Sequence, residues 1–109
     1  MIPERGDIWW VALHPTLGSQ IRKTRPCVVI SVNVLNERRR TVIVVPLSSS
    51  PKASPPILIP ISCDGRPAMA VSDQIRAVAK ERLRSRLGVV TTEEMAALED
   101  GLRQIMQLG

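Results

Sequence analysis

Short runs of β-branched and apolar residues, separated by proline, glycine and serine, fill the first 90 residues of this chain. Runs of this kind read as strands, and several of them packed together need a sheet with buried faces. Residues 6–13 and 26–32 supply two. Residues 41–47 (TVIVVPL) supply a third, continuously apolar and therefore expected at the centre of the sheet. Residues 57–62 form another, but Pro60 has no N–H for a ladder, which places this strand at an edge. Residues 68–72 and 74–78 read as short strands on either side of Asp73, although the stretch 74–87 could also hold a helical turn. Residues 89–90 are expected to close the sheet. Between the third strand and the proline-bearing one, residues 48–56 (SSSPKASPP) have a loop composition. Strands at this spacing, with turn signals between them, predict a small barrel in a single domain spanning residues 1–109.

The tail reads differently. Thr91 and Glu94 have the spacing of a capping box, and Glu93 and Glu94 sit near the positive end of a helix dipole. Met95, Leu98, Leu102, Ile105 and Met106 then recur at three- and four-residue intervals, which predicts one apolar stripe on a helix over about residues 92–107. Gly101 lies inside that helix at a cost of about 1 kcal/mol relative to alanine, so a close contact with the sheet is expected there.

The core must be aliphatic, because the chain has no Phe or Tyr and only Trp9 and Trp10 are aromatic. On a strand these two point to opposite faces, so one belongs to the core and the other to the surface or an interface. Cys27 and Cys63 both sit in apolar runs and read as reduced, buried thiols. Two cysteines and one histidine without a CxxC do not complete a zinc site, and no metal or other cofactor is expected. No apolar run approaches the ~18 residues of a membrane helix, and the N-terminus has no signal-like apolar region. A cytoplasmic protein is expected.

Charge is divided unevenly. Residues 91–109 carry four acids and one base, whereas residues 1–90 carry 14 bases and 6 acids, a balance of +8. Twelve of the 15 cations are arginine, whose planar fork grips phosphate and stacks on bases, so nucleic acid is the partner class that the balance favours. One cation is placed with unusual care. In residues 18–31 (GSQIRKTRPCVVIS), Arg25 ends a basic loop and is followed by Pro26, which fixes its own φ and biases Arg25 toward an extended conformation. An arginine held at the mouth of a strand is preorganised in a way that one in mid-loop is not.

Taken together, RGDIWWVALHPTLGSQ, RPCVVIS, TVIVVPLSS, AVSDQIRAV and RLGVVTTEEMAALEDGL resemble the MazF/PemK toxins of bacterial toxin–antitoxin pairs over about residues 5–108. That resemblance implies a small SH3-like β-barrel of the CcdB/PemK type, mainly β, with a C-terminal helix packed on the sheet, assembled as a homodimer. It also implies metal-independent, sequence-specific cleavage of single-stranded RNA such as mRNA, and a MazE-like antitoxin partner that occupies the RNA groove. The family's catalytic arginine falls on Arg25 and its catalytic threonine on Ser48. A guanidinium and a hydroxyl aimed at the phosphate oxygens would stabilise the charge that builds as the 2′-hydroxyl attacks phosphorus. The products expected are a 2′,3′-cyclic phosphate and a 5′-hydroxyl.

The other candidate residues are less defined. His14 is the side chain that titrates near neutrality without perturbation, and with Gln20 it is a candidate for proton transfer or RNA contact, set against a plain loop role. Ser19, Arg22, Lys23, Asp73, Gln74 and Arg76 are candidates for binding RNA, the last three set against simple turn formation. Arg38, Arg39 and Arg40 read first as a solvated turn and second as a grip on the RNA backbone. Ala12, His14, Gln20 and Ser48 depart from the family's usual residues, which keeps open a catalytically weak homologue that binds RNA or antitoxin. A CcdB-like gyrase poison is a further alternative. That family ends in Trp-Gly-Ile, whereas this chain ends Gln107-Leu108-Gly109.

Overall fold

In the computed structural model, which describes residues 2–13 and 23–109, the stretch TVIVVPL lies at the middle of the sheet, as its composition predicts. The elements in chain order are β1 (Asp7–Leu13), β2 (Lys23–Val29), helix α1 (Asn33–Arg38), β3 (Thr41–Ser48), β4 (Leu58–Cys63), β5 (Arg66–Val71), β6 (Arg76–Ala79), β7 (Leu83–Val89) and helix α2 (Thr92–Met106). Every pairing is antiparallel, and the strand order is β4-β5-β3-β2-β1-β7, with β6 also on β3. Alternation along β3 sends Val45 and Leu47 to one apolar cluster, with Ile8, Val28, Ile59 and Leu98. It sends Val42 and Val44 to a second, with Trp9, Val11, Cys27 and Val78. Both faces of β3 are therefore buried, which is why its sequence does not alternate.

Among the described residues the strand path has two ends, so the sheet is open where a closed barrel was expected. Both ends resist further pairing. β4 carries Pro60, at the edge as predicted, and β7 carries the exposed Arg84 and Arg86. β7 is also a seven-residue strand where only residues 89–90 were expected to pair. β2 begins at Lys23 and stops at Val29, three residues short of its expected end at Val32. There the chain turns into α1, which the sequence did not suggest. Its fully buried Asn36 donates to the Ser31 carbonyl at 2.9 Å and accepts from the Ser31 hydroxyl.

The Gly-Asp pair that opens β1 does structural work. Gly6 has φ +94°, a backbone conformation suited to glycine, and its N–H donates to the Val29 carbonyl at 2.7 Å. Asp7 is buried and accepts from the Glu4 N–H, the Trp9 indole and the Arg86 guanidinium at 2.9, 3.1 and 3.1 Å. Trp9 is accordingly the core tryptophan and Trp10 is half-buried. Cys27 is buried as expected, whereas Cys63, at the end of edge strand β4, is only half-buried; both are free thiols.

Helix α2 follows its sequence closely. The Thr91 hydroxyl accepts from the Glu94 N–H at 3.0 Å, and the Glu94 carboxylate accepts from the Thr91 N–H at 2.9 Å. Leu98 is fully buried in the first cluster, with Met95 and Leu102 packed against it. Met106, expected on the same stripe, is 48% exposed. Gly101 is buried, and a Cβ there would lie 2.9 Å from the Pro56 carbonyl oxygen and 3.2 Å from Ile59 Cδ1. Gly101→Ala should therefore destabilise by about 1–3 kcal/mol, the cost of overpacking outweighing the ~1 kcal/mol gain in helix propensity. A lower urea midpoint is the expected reading, and an unchanged or higher one would show that the backbone at Pro56 yields. Among the described residues no helix is long and apolar enough to cross a membrane.

Candidate active site

β2 and β3 lie side by side, with Cys27 opposite Pro46, Val28 opposite Val45 and Val29 opposite Val44. The pairing ends at Cys27 and Pro46, and Arg25 and Ser48 lie two residues beyond that pair, each toward the same end of the sheet. Both line a cleft of about 350 Å³, completed by Pro26, Leu47, Ser49, Pro67 and Ala68. Its lining combines four apolar residues with one arginine and two serines. Pro26, inside β2, has no N–H to donate and holds the chain extended, while Arg25 stays in the ladder opposite Val11 of β1. The Ser48 hydroxyl oxygen accepts from the Ser50 N–H at 3.4 Å, so that contact does not use the hydroxyl's proton.

The electrostatics are those of a cationic site. Burial pushes the Cys27 thiol up to about 12, an effect partly offset by the Arg76 and Arg25 guanidiniums. Cys27 donates to the Arg25 carbonyl at 3.7 Å and is neutral at physiological pH, which makes it packing for Arg25 and not a nucleophile. Among the described residues no three His, Cys, Asp or Glu side chains are grouped as metal ligands would be.

The family of PemK-like, MazF-like toxins of type II toxin–antitoxin systems matches residues 4–106. The chain belongs to that family. It is 33% identical over 113 residues to the endoribonuclease MazF9 of Mycobacterium tuberculosis, covering 95% of this chain and 96% of that one. It is 30% identical over 99 residues to the endoribonuclease toxin MazF of Escherichia coli K12, covering 90% and 88%. The fold is shared with MazF from Deinococcus radiodurans, at a TM-score of 0.84 and 19% identity over 99% of each chain. It is also shared with a mycobacterial endoribonuclease solved with its cognate antitoxin, at a TM-score of 0.79 and 23% identity over 98% of this chain and 97% of that one.

Within this MazF/PemK-type chain the remaining candidates are spread out. Asp73 and Gln74 are exposed on a 3-10 turn, Ser72–Gln74, inserted between β5 and β6. Val44 lies opposite Arg76 and Leu47 opposite Ala70, so three steps along β3 match six along its neighbour, and the surplus becomes the turn. None of Asp73, Gln74 and Arg76 lines the cleft, although the Arg76 charge is felt at Cys27. Lys23 opens β2. His14, Ser19, Gln20 and Arg22 lie outside the described residues. Arg38, Arg39 and Arg40 are exposed at the opposite end of β3 from Ser48, roughly 24 Å away along the strand. The cleft residues that sequence reasoning missed are Leu47, Pro67 and Ala68. Ser49, like Ser50, is legible as a hydroxyl that could stand in for Ser48, but Pro67 and Ala68 become visible only once β5 is known to flank β3.

Proposed function

We propose that this chain is the toxin of a type II pair, an endoribonuclease that cuts single-stranded RNA in the Arg25–Ser48 cleft without a metal. The 2′-hydroxyl attacks the adjacent phosphorus, the P–O5′ bond breaks, and the departing 5′-oxygen takes up a proton. This leaves a 2′,3′-cyclic phosphate and a 5′-hydroxyl. Arg25 stabilises the charge on the non-bridging oxygens, and the Ser48 hydroxyl donates to the phosphate or the attacking group. The 2′-hydroxyl gives up its proton to a base as it attacks; His14 is the candidate for that transfer or for RNA contact, and Gln20, whose amide does not titrate, for a hydrogen bond to the RNA. Ser19, Arg22, Lys23, Asp73, Gln74 and Arg76 are assigned to RNA contacts. The proposal includes a homodimer, a MazE-like antitoxin as partner and a cytoplasmic site of action. The observation that carries this reading is the convergence of Arg25 and Ser48, from neighbouring strands, on one cleft.

The test is incubation of the protein with a mixed RNA pool in EDTA, followed by chemical mapping of new ends. Cyclic phosphate and 5′-hydroxyl ends are expected; inhibition by EDTA, or 5′-phosphate ends, would overturn the mechanism. A related expectation concerns residues 38–40. Because they lie far from the cleft, replacing all three arginines by glutamine should leave cleavage of a substrate a few nucleotides long unchanged. It should lower the salt dependence of binding to a long RNA. A long-RNA salt slope equal to that of the unaltered protein would return these arginines to a solvated turn.

A further inference from the structure

Among the described residues β4, β6 and β7 each have one side without a partner strand, and the molecule treats these edges differently. Along β4 the outward N–H groups are used or absent. Leu58 donates to the Ser54 carbonyl at 2.9 Å, Pro60 has no N–H, and Ser62 donates to the Glu94 carboxylate at 2.6 Å. β6 is only four residues long. β7 runs seven residues without a proline, and β1 is its sole partner among the described strands. Such an edge presents a row of alternating donors and acceptors. An extended polypeptide matches that row group for group, whereas a row of phosphates offers acceptors alone.

The surroundings say what kind of polypeptide fits. Residues 80–86 (KERLRSR) carry four cations and one acid, and Arg84, Ser85 and Arg86 are exposed. Those charges keep an equally basic second copy off the edge, and the same charges favour an acidic strand. Arg86 shares its charge with the buried Asp7 at 3.1 Å, which leaves Arg84 as the more open cation. At its far end β7 meets a cleft of about 330 Å³ lined in part by Val89, Val90, Met95 and Ala96. The carboxylate in that lining, Glu99, is already paired with Arg5 at 2.6 Å. Val89 is 59% exposed, so an apolar side chain entering the cleft finds apolar surface still to be buried.

We propose that the outer edge of β7 is a docking site for an acidic, extended segment of a partner protein. The segment adds as a further antiparallel strand, the arrangement of every pairing in this sheet. Its first residues then lie against the last residues of β7, which puts an apolar residue near its N-terminal end into the Val89 cleft. Acidic residues follow along Arg86 and Arg84. Because β1 separates β7 from β2, this surface is distinct from the Arg25–Ser48 cleft, and the inference does not depend on how RNA is cut.

The probe is a set of synthetic peptides of about eight residues, threonine alternating with glutamate, with one leucine near either end. Amide exchange read by NMR reports where they bind. The β7 amides should become slower to exchange, with those of β4 unchanged. Leucine near the N-terminus should bind about tenfold more tightly than leucine near the C-terminus, the gain from burying its side chain beside Val89. Arg84→Glu should weaken binding several-fold. N-methylation of one alternate set of peptide amides should abolish binding and that of the other set should be tolerated, since only one set faces β7. Failure of every peptide to bind at millimolar concentration would overturn the proposal, as would equal tolerance of both methylations, which would mean attraction by charge alone. Tighter binding with leucine near the C-terminus would overturn the antiparallel arrangement. Protection centred on Arg25 and Ser48 would move the acidic segment to the cleft, and protection of β7 by a short RNA would give the edge to nucleic acid; either result defeats the proposal.

Discussion

Arg25→Ala is expected to lower cleavage by at least about 10³-fold while leaving the fold intact. The guanidinium can place two donors on the phosphate, and one such donor is worth about 2.7–4 kcal/mol in other enzymes. The backbone of Arg25 stays in the β1–β2 ladder opposite Val11 whatever its side chain, and the extended geometry imposed by Pro26 does not depend on the arginine. Thermal unfolding should accordingly move little. Arg25→Lys should recover only a small part of the rate, because an ammonium is a point charge and cannot span two oxygens as the planar fork does. Near-normal cleavage by either variant would remove Arg25 from the chemistry. Unfolding of Arg25→Ala would mean that the side chain, half-buried beside Cys27, serves packing first.

What could be read from the residues alone follows from how local each signal is. β3 and α2 carry their instructions within themselves, a continuous β-branched run in one and a capping box with a three-four stripe in the other. The tight seat of Gly101 was legible because a glycine inside a strong helix asks for a reason, and the Pro56 carbonyl supplies it. Helix α1 was not legible: it is six residues long, its N-cap Val32 makes no side-chain cap, and its anchor is the long-range pair Ser31–Asn36. The openness of the sheet was hidden for a related reason, since alternation tells which face is buried but not whether the end strands meet. At the cleft, Arg25 was marked by its proline and Ser48 by the family resemblance. That they line one cleft follows from the pairing of β2 with β3, and the far wall of Pro67 and Ala68 is a fact of topology.

Ser48→Ala should reduce kcat by at least about 10²-fold with stability nearly unchanged. Ser48 is the last residue of β3 and half-buried, and the bond its oxygen accepts from the Ser50 N–H is long, at 3.4 Å. Losing the hydroxyl thus removes little that holds the fold, but it removes a donor from the cleft that Arg25 lines. Ser48→Thr should keep or raise the rate, because the β-methyl restricts χ1 and orders the hydroxyl before substrate arrives. The measurement must be made beside its neighbours. Ser49 also lines the cleft, whereas Ser50 does not, so Ser49→Ala should have a mild effect and Ser50→Ala a smaller one. If Ser48→Ala cleaves normally and Ser49→Ala is dead, the hydroxyl that matters is the next one along, at the rim of the same cleft. If all three variants are active, no serine of this loop donates to the phosphate, and Arg25 must act with a group outside the β3 end.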